Sequence, residues 1–309
     1  MESTASPEGS PNSSGDISAR VLGAELSQSR ITSPQSGPPP CPACGGVLES
    51  NSVSDLPYVY ALGVVEAVFP RLGVEKEFAQ ATGRNPESGK TDRQVFYEVL
   101  KKHENRYLAR KLCWKFTIQG VDTYLLLPRD PQDFELLIEA IGGPAQERWV
   151  SLVIGVRGPI ASSEMCNGLM VPIVAVDQIY SFSAKSLVEA IPRPENPPEQ
   201  FETAASELFD RTMQMTDNAG ATDEHRALNY LVVRYPAVYE TVARAYERNA
   251  SLTRVEVRPS VVSGTRKILD VIYTFTYRDT GVEEKFYVPV DVTDEFPFLN
   301  KKMSPYYDR

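Results

Sequence analysis

The sequence predicts an α+β protein of two mixed lobes, each with antiparallel sheet and helices, behind a disordered N-terminal lead that ends in a zinc knuckle. Three observations carry that expectation. Of the first 40 residues ten are Ser, six Pro and four Gly, a composition that buries too little apolar surface to offset the entropy of ordering. From Tyr58 onward, β-prone apolar runs are interspersed with segments of helical period, as in an α+β chain. Between them, Pro192, Pro194, Pro197 and Pro198 forbid helix and interior strand and separate two runs of elements. The expected plan is a lead over 1–55, an N-terminal lobe over 56–191, a proline-rich linker over 192–200 and a C-terminal lobe over 201–309.

Taken in order, residues 58–69 are apolar and β-prone and read as a strand. Thr91 as N-cap with Gln94 at N3 forms a capping box that opens a helix to about Glu104. Strands follow over 112–118 and 123–127, joined through Gly120. Asp130 reads as an N-cap, Pro131 as N1 and Gly142 as the closing residue of the next helix. Within it Phe134, Leu137, Ile138 and Ile141 form one buried stripe at helical spacing. Buried strands are expected over 149–156 and 169–179, and Ser183 caps a short helix to Ala190. Beyond the linker come a helix over 201–217, ended near Gly220, and a second from Thr222 that Pro236 breaks before it resumes to Asn249. Segments 254–262, 267–277 and 283–290 then read as an antiparallel meander, turned at Gly264 and at Asp279-Thr-Gly281.

Charge narrows the partners. The 309 residues carry 41 acids against 32 bases, net −9, which argues against nucleic acid or an anionic membrane surface as the main partner. No apolar run approaches the ~20 residues of a membrane helix, and the start lacks the basic and apolar stretches of a signal peptide. The expected compartment is cytoplasmic, where thiols stay reduced. Four cysteines then read as metal ligands, buried thiols or nucleophiles.

Cys41-Pro-Ala-Cys44-Gly45-Gly46 has the form of a zinc knuckle, with two thiolates facing one ion. A closed tetrahedral site needs two further ligands, and Cys113 and Cys166 are the remaining cysteines. The metal expectation is one structural Zn²⁺ held by Cys41, Cys44, Cys113 and Cys166. Alternatives stay open: Cys113 and Cys166 as buried thiols, or two knuckles from two chains meeting at a dimer interface. A redox role for Cys-x-x-Cys is weaker, since no βαβ thioredoxin pattern surrounds it.

No catalytic set is expected. His225 stands in the first turn of a helix and His103 near the end of one, both ordinary places for a solvated imidazole. There is no Gly-x-Ser-x-Gly elbow, no phosphate loop and no Gly-x-Gly-x-x-Gly, and nothing local activates a Cys166–His225 pair. Glu75, Glu77 and Asp177 read as solvated acids. The tail Ser304-Pro-Tyr-Tyr-Asp-Arg309 is expected to dock on the body or on a partner, the body being the favoured reading.

Several longer runs carry a resemblance. Val74-Glu-Lys-Glu-Phe-Ala-Gln-Ala-Thr-Gly-Arg84, Asn105-Arg-Tyr-Leu-Ala-Arg110, Val153-Ile-Gly-Val-Arg-Gly-Pro-Ile160, Pro172-Ile-Val174, Asp217-Asn-Ala-Gly-Ala-Thr-Asp-Glu-His-Arg-Ala-Leu-Asn-Tyr230 and the tail from Ser304 resemble the C-terminal domain of unknown function of PatG-like and PatA-like cyanobactin maturation proteins. The likeness runs from Tyr58 to Arg309. It implies a part in making ribosomally synthesised, modified cyclic peptides, and a zinc-binding, dimeric domain. In that family the domain is appended to a subtilisin-like protease or macrocyclase. Residues 1–55 hold no His and no catalytic serine motif, so cleavage and cyclisation do not carry over.

Two functional classes follow. One is a non-catalytic accessory module that binds a precursor peptide or recruits maturation enzymes, an edge strand of the meander accepting extended peptide. The other is a cryptic thiol-dependent peptide-modifying enzyme using Cys166. A homodimer is the expected assembly.

Overall fold

A strand that is apolar at nearly every position is stable only when both its faces are covered. β1 (Tyr58–Val68) is such a strand. Val59, Ala61 and Val65 join one buried cluster, whereas Tyr60 and Leu62 join another, as the two-residue period of a strand requires. The structure is a computed structural model that describes residues 57–82, 92–143, 149–191, 201–214 and 217–307. The expected disordered lead with Cys41 and Cys44, the capping residue Thr91 and the linker 192–200 lie outside the described residues.

After β1 come helix α1 (Leu72–Ala81), α2 (Asp92–Leu100) and a 3-10 segment, His103–Lys111. The hairpin of β2 (Cys113–Ile118) and β3 (Val121–Pro128) turns through Gln119 and Gly120, both at positive φ. That backbone matches the twist of paired strands, and glycine adopts it without strain. Helix α3 (Asp133–Ala140) buries Leu137, Ile138 and, just past its end, Ile141, with Phe134 half-buried beside them, so the expected stripe is borne out at three of its four positions. Its start is corrected from Pro131 to Asp133: the Asp130 carboxylate accepts from the Gln132 amide (2.8 Å), capping the preceding turn, and the helix proper begins at Asp133.

β4 (Trp149–Ile160) and β5 (Pro172–Ser183) complete a closed barrel in the order β1-β2-β3-β5-β4. All pairings are antiparallel except β3–β5, where Leu125 to Pro128 run parallel to Ile173 to Val176. The expected antiparallel sheet is thus present, with one parallel pairing in the first of the two sheets. Ser183 caps α4 (Ala184–Ala190) in a complete capping box with Ser186, as expected.

Helices α5 (Phe201–Met213), α6 (Asp223–Arg234) and α7 (Ala237–Glu247) follow, with Thr222 capping α6 and Pro236 separating α6 from α7. Across that break the buried Tyr239 hydroxyl donates to the Val232 carbonyl at 2.7 Å. The meander is β6 (Ala250–Pro259), β7 (Ile268–Tyr277) and β8 (Glu283–Asp291). Two short strands, β9 (Phe298–Leu299) and β10 (Ser304–Pro305), both pair with β8, giving the order β10-β8-β7-β6 for the second sheet.

The expected lobe boundary is not a boundary of the core. Tyr60, Leu62, Leu152 and Ile154 of the barrel pack in one cluster with Phe209, Leu231, Tyr239, Tyr273 and Phe275 from beyond the linker. The described residues between 57 and 307 belong to one compact unit.

Candidate functional site

Cys113 opens β2 and Cys166 stands in a tight turn after β4, with Cys166, Asn167 and Gly168 all at positive φ. The fold brings these two cysteines together, joined as a disulfide with Cα atoms 5.6 Å apart across 53 residues of sequence. A sulfur in a disulfide is not a thiolate, so neither cysteine can ligate zinc in this state. The expected assignment of Cys113 and Cys166 to the metal is corrected accordingly, and so is Cys166 as a free nucleophile. Cys41 and Cys44 lie outside the described residues. Among the described residues no group of three or more His, Cys, Asp and Glu side chains could hold a metal ion. A disulfide persists in an oxidising compartment, so this pair does not carry the cytoplasmic expectation. No helix among the described residues is long and apolar enough to cross a membrane.

The long run 217–230 turns out to be the seam between the two sheets. Gly220, at φ +68, lies so close to β1 that an added Cβ would stand 2.5 Å from both the Ala61 Cα and the Tyr60 carbonyl oxygen. Its own carbonyl accepts from the Tyr60 amide at 2.9 Å. The buried Asn229 side chain donates to the Tyr60 carbonyl (2.8 Å) and exchanges hydrogen bonds with Asn218. Tyr124 of β3 donates to the Ala219 carbonyl at 2.9 Å.

Arg226 is 2% exposed and the two terminal nitrogens of its guanidinium are spent on structure, while its Nε is buried without an acceptor. It donates to the carbonyls of Val292 (2.9 Å), Asp294 and Glu295, and pairs with Asp223. Farther along α6, the hydroxyls of Tyr230 and Tyr235 accept from the amides of Leu299 and Met303. The tail thus docks on the body, as expected: Ser304 and Pro305 pair with Tyr287 and Phe286, and the Tyr306 ring meets Tyr287 edge-on.

Beside Arg226 is a pair of carboxyl groups. Asp177 of β5 is bridged to Arg129 at 2.9 Å, while its other oxygen and Oε1 of Glu295 are buried without a donor. A proton on the Glu295 carboxyl supplies one. Burial, then the hydrogen bond to Asp177 and its charge, push the Glu295 carboxyl up to about 7 against the pull of Arg129 and Arg226.

The histidines are apart in role. His225 is half-buried in the first turn of α6, where burial pulls its pKa down against Glu224 and Asp217. Its Nδ1 has no partner, and no nucleophile is aligned with it among the described contacts.

His103 lines a groove of about 350 Å³ between the 3-10 segment and α3. Three residues per turn stack i over i+3, so His103 overlies Arg106 and Tyr107 overlies Arg110. Phe134 and Ile138 form the opposite wall. Residues 101–111 hold five Lys and Arg against one acid, Glu104, in a chain that is acidic overall. Sequence reading treated His103 alone; the surrounding basic run was the signal that could have located the groove.

Comparison with known proteins fits this fold. Residues 195–306 match the family model described as PatG C-terminal. The solved structure titled "PatG Domain of Unknown Function" superposes with a TM-score of 0.65 at 21% identity, covering 82% of this chain and 99% of that one. No curated protein matches the chain.

Proposed function

We propose that the protein is a non-catalytic accessory module of a ribosomal-peptide maturation pathway of the cyanobactin kind, one that binds a precursor peptide or recruits its modifying enzymes. The match of residues 195–306 to PatG C-terminal carries this reading. The polar groups of the seam support it too, because most are used on the protein's own backbone.

Strand addition is a poor route for the partner. The β8 edge of the meander is covered by β9 and β10. The β6 edge carries a register shift between Leu252 and Arg254, the charges of Arg254, Glu256 and Arg258, and Pro259. A bulge, charges and proline are the devices by which sheets refuse a further strand.

Zinc belongs to the same proposal. With Cys113 and Cys166 in a disulfide, Cys41 and Cys44 need two ligands from elsewhere, and the same pair on a second chain provides them in a homodimer. Metal analysis and light scattering test this together. The expected result is one zinc per two chains, with Cys44→Ser losing both metal and dimer. A full zinc per chain in a monomer, lost in Cys113→Ser, would restore the four-cysteine shell. For the accessory role, crosslinking in a lysate of the native host should capture a precursor peptide or a maturation enzyme; capture of neither counts against it.

A further inference from the structure

We propose that the groove between the 3-10 segment and α3 is a docking site for an acidic stretch of peptide. The inference deepens the accessory reading above and rests on it only for the biological partner. Three basic residues, His103, Arg106 and Arg110, line the groove against one acid, Glu135. Glu135 pairs with Arg106. Arg110 and His103 are exposed and have no side-chain partner among the described residues, and Arg106 Nε is a buried donor without an acceptor. An arginine left unpaired at a cleft, Arg110, in a chain of net charge −9, fits an anionic ligand.

The remaining wall chemistry selects the kind of anion. Tyr107, Phe134 and Ile138 give the groove an aromatic and apolar face, which suits the side chains flanking a carboxylate in a peptide. A phosphate would instead want backbone amides at the start of α3. Three of those amides are taken: Gln132 N donates to Asp130 Oδ1 (2.8 Å), Asp133 N to Asp130 O (3.0 Å) and Glu135 N to Gln132 O (3.0 Å). Arg110 then pairs with a carboxylate, His103 offers a ring N–H beside it, and the apolar neighbours rest on Phe134 and Ile138. The volume falls within the roughly 300–1,000 Å³ of ligand sites, enough for a short stretch of chain.

Fluorescence anisotropy with the full chain tests the proposal, using a short labelled peptide of alternating glutamate and leucine and its glutamine–leucine counterpart. The acidic peptide should bind at roughly micromolar strength, as expected for a segment that orders on binding, and weaken as salt screens the contact. Arg110→Glu should weaken it by about tenfold or more, and the neutral peptide should bind about tenfold or more weakly to the wild type. Lys101→Glu changes the same charge outside the groove and should weaken binding less than about threefold. Equal loss in the two variants, equal binding of the two peptides, or displacement by an equal concentration of oligothymidylate would each overturn the proposal. Host-lysate crosslinks that survive unchanged in Arg110→Glu would remove the groove and leave the accessory role intact. Groove-dependent peptide binding with no partner captured would remove the accessory role alone.

Discussion

The seam 217–230 and the 3-10 segment His103–Lys111 are both rich in charge, yet they use it in opposite ways. In the seam Arg226, Asn229 and Asn218 are buried and have partners inside the chain, most of them backbone carbonyls or one another. In the 3-10 segment Arg110 and His103 face solvent with no such partner among the described residues. The seam lies within the stretch 195–306 that matches the PatG C-terminal family model. Resemblance does not separate the two, since Asn105–Arg110 of the groove segment carries it as well; what separates them is whether the charged groups find acceptors inside the chain.

Substitutions should separate the two regions, the largest effect coming from the seam. Arg226→Met strands three carbonyls and Asp223, and should destabilise the protein by about 3–5 kcal/mol, read as a lower urea midpoint. Next is the disulfide, which anchors the chain two residues after Lys111. Its reduction, or Cys113→Ser, should cost on the order of 2–4 kcal/mol and increase exchange in the groove segment more than in the seam. Gly220→Ala combines a left-handed backbone with a Cβ forced onto β1, for a loss of about 2 kcal/mol, measured in the same way. If Arg226→Met instead left the urea midpoint within about 0.5 kcal/mol of wild type, the structural reading of the seam would fail.

The pH dependence is smaller and has a definite sign. Glu295 has its carboxyl pushed up to about 7 from an ordinary 4.5, so the fold favours its protonated form. That contribution is full below the ordinary carboxyl range and is lost as pH rises through about 7. The urea midpoint should fall over this window, and Glu295→Gln, which keeps a donor facing Asp177, should flatten the fall. Smallest of all, Arg110→Glu alters an exposed side chain and should change stability by no more than about 0.5 kcal/mol while weakening acidic peptide.

Much of the fold was legible in the sequence because it is local. Ser183 with Ser186, Thr222, Pro236 and the Phe134–Ile141 stripe act through neighbours a few residues away, and each does in the structure what the sequence implies. Helix α1 was hidden by Gly73 and by a start with no side-chain cap. The parallel β3–β5 pairing and the closure of β1 on β4 depend on residues far apart in sequence, which periodicity does not report. At the cysteines, four residues of one type were counted toward one metal. Only the fold reveals that Cys113 and Cys166 have each other within bonding reach. Asp177 read as a solvated acid because its partner Glu295 lies more than a hundred residues away.

Hydrogen–deuterium exchange of the full chain, with and without the acidic peptide, tests the contrast most directly. Amides of 217–230 should be among the slowest to exchange and should not respond to the peptide. Amides of 103–111 and 131–138 should exchange faster in the free protein and gain protection when the peptide binds. Protection that appears in 217–230 instead, with 103–111 unchanged, would contradict the assignment of seam to structure and groove to partner.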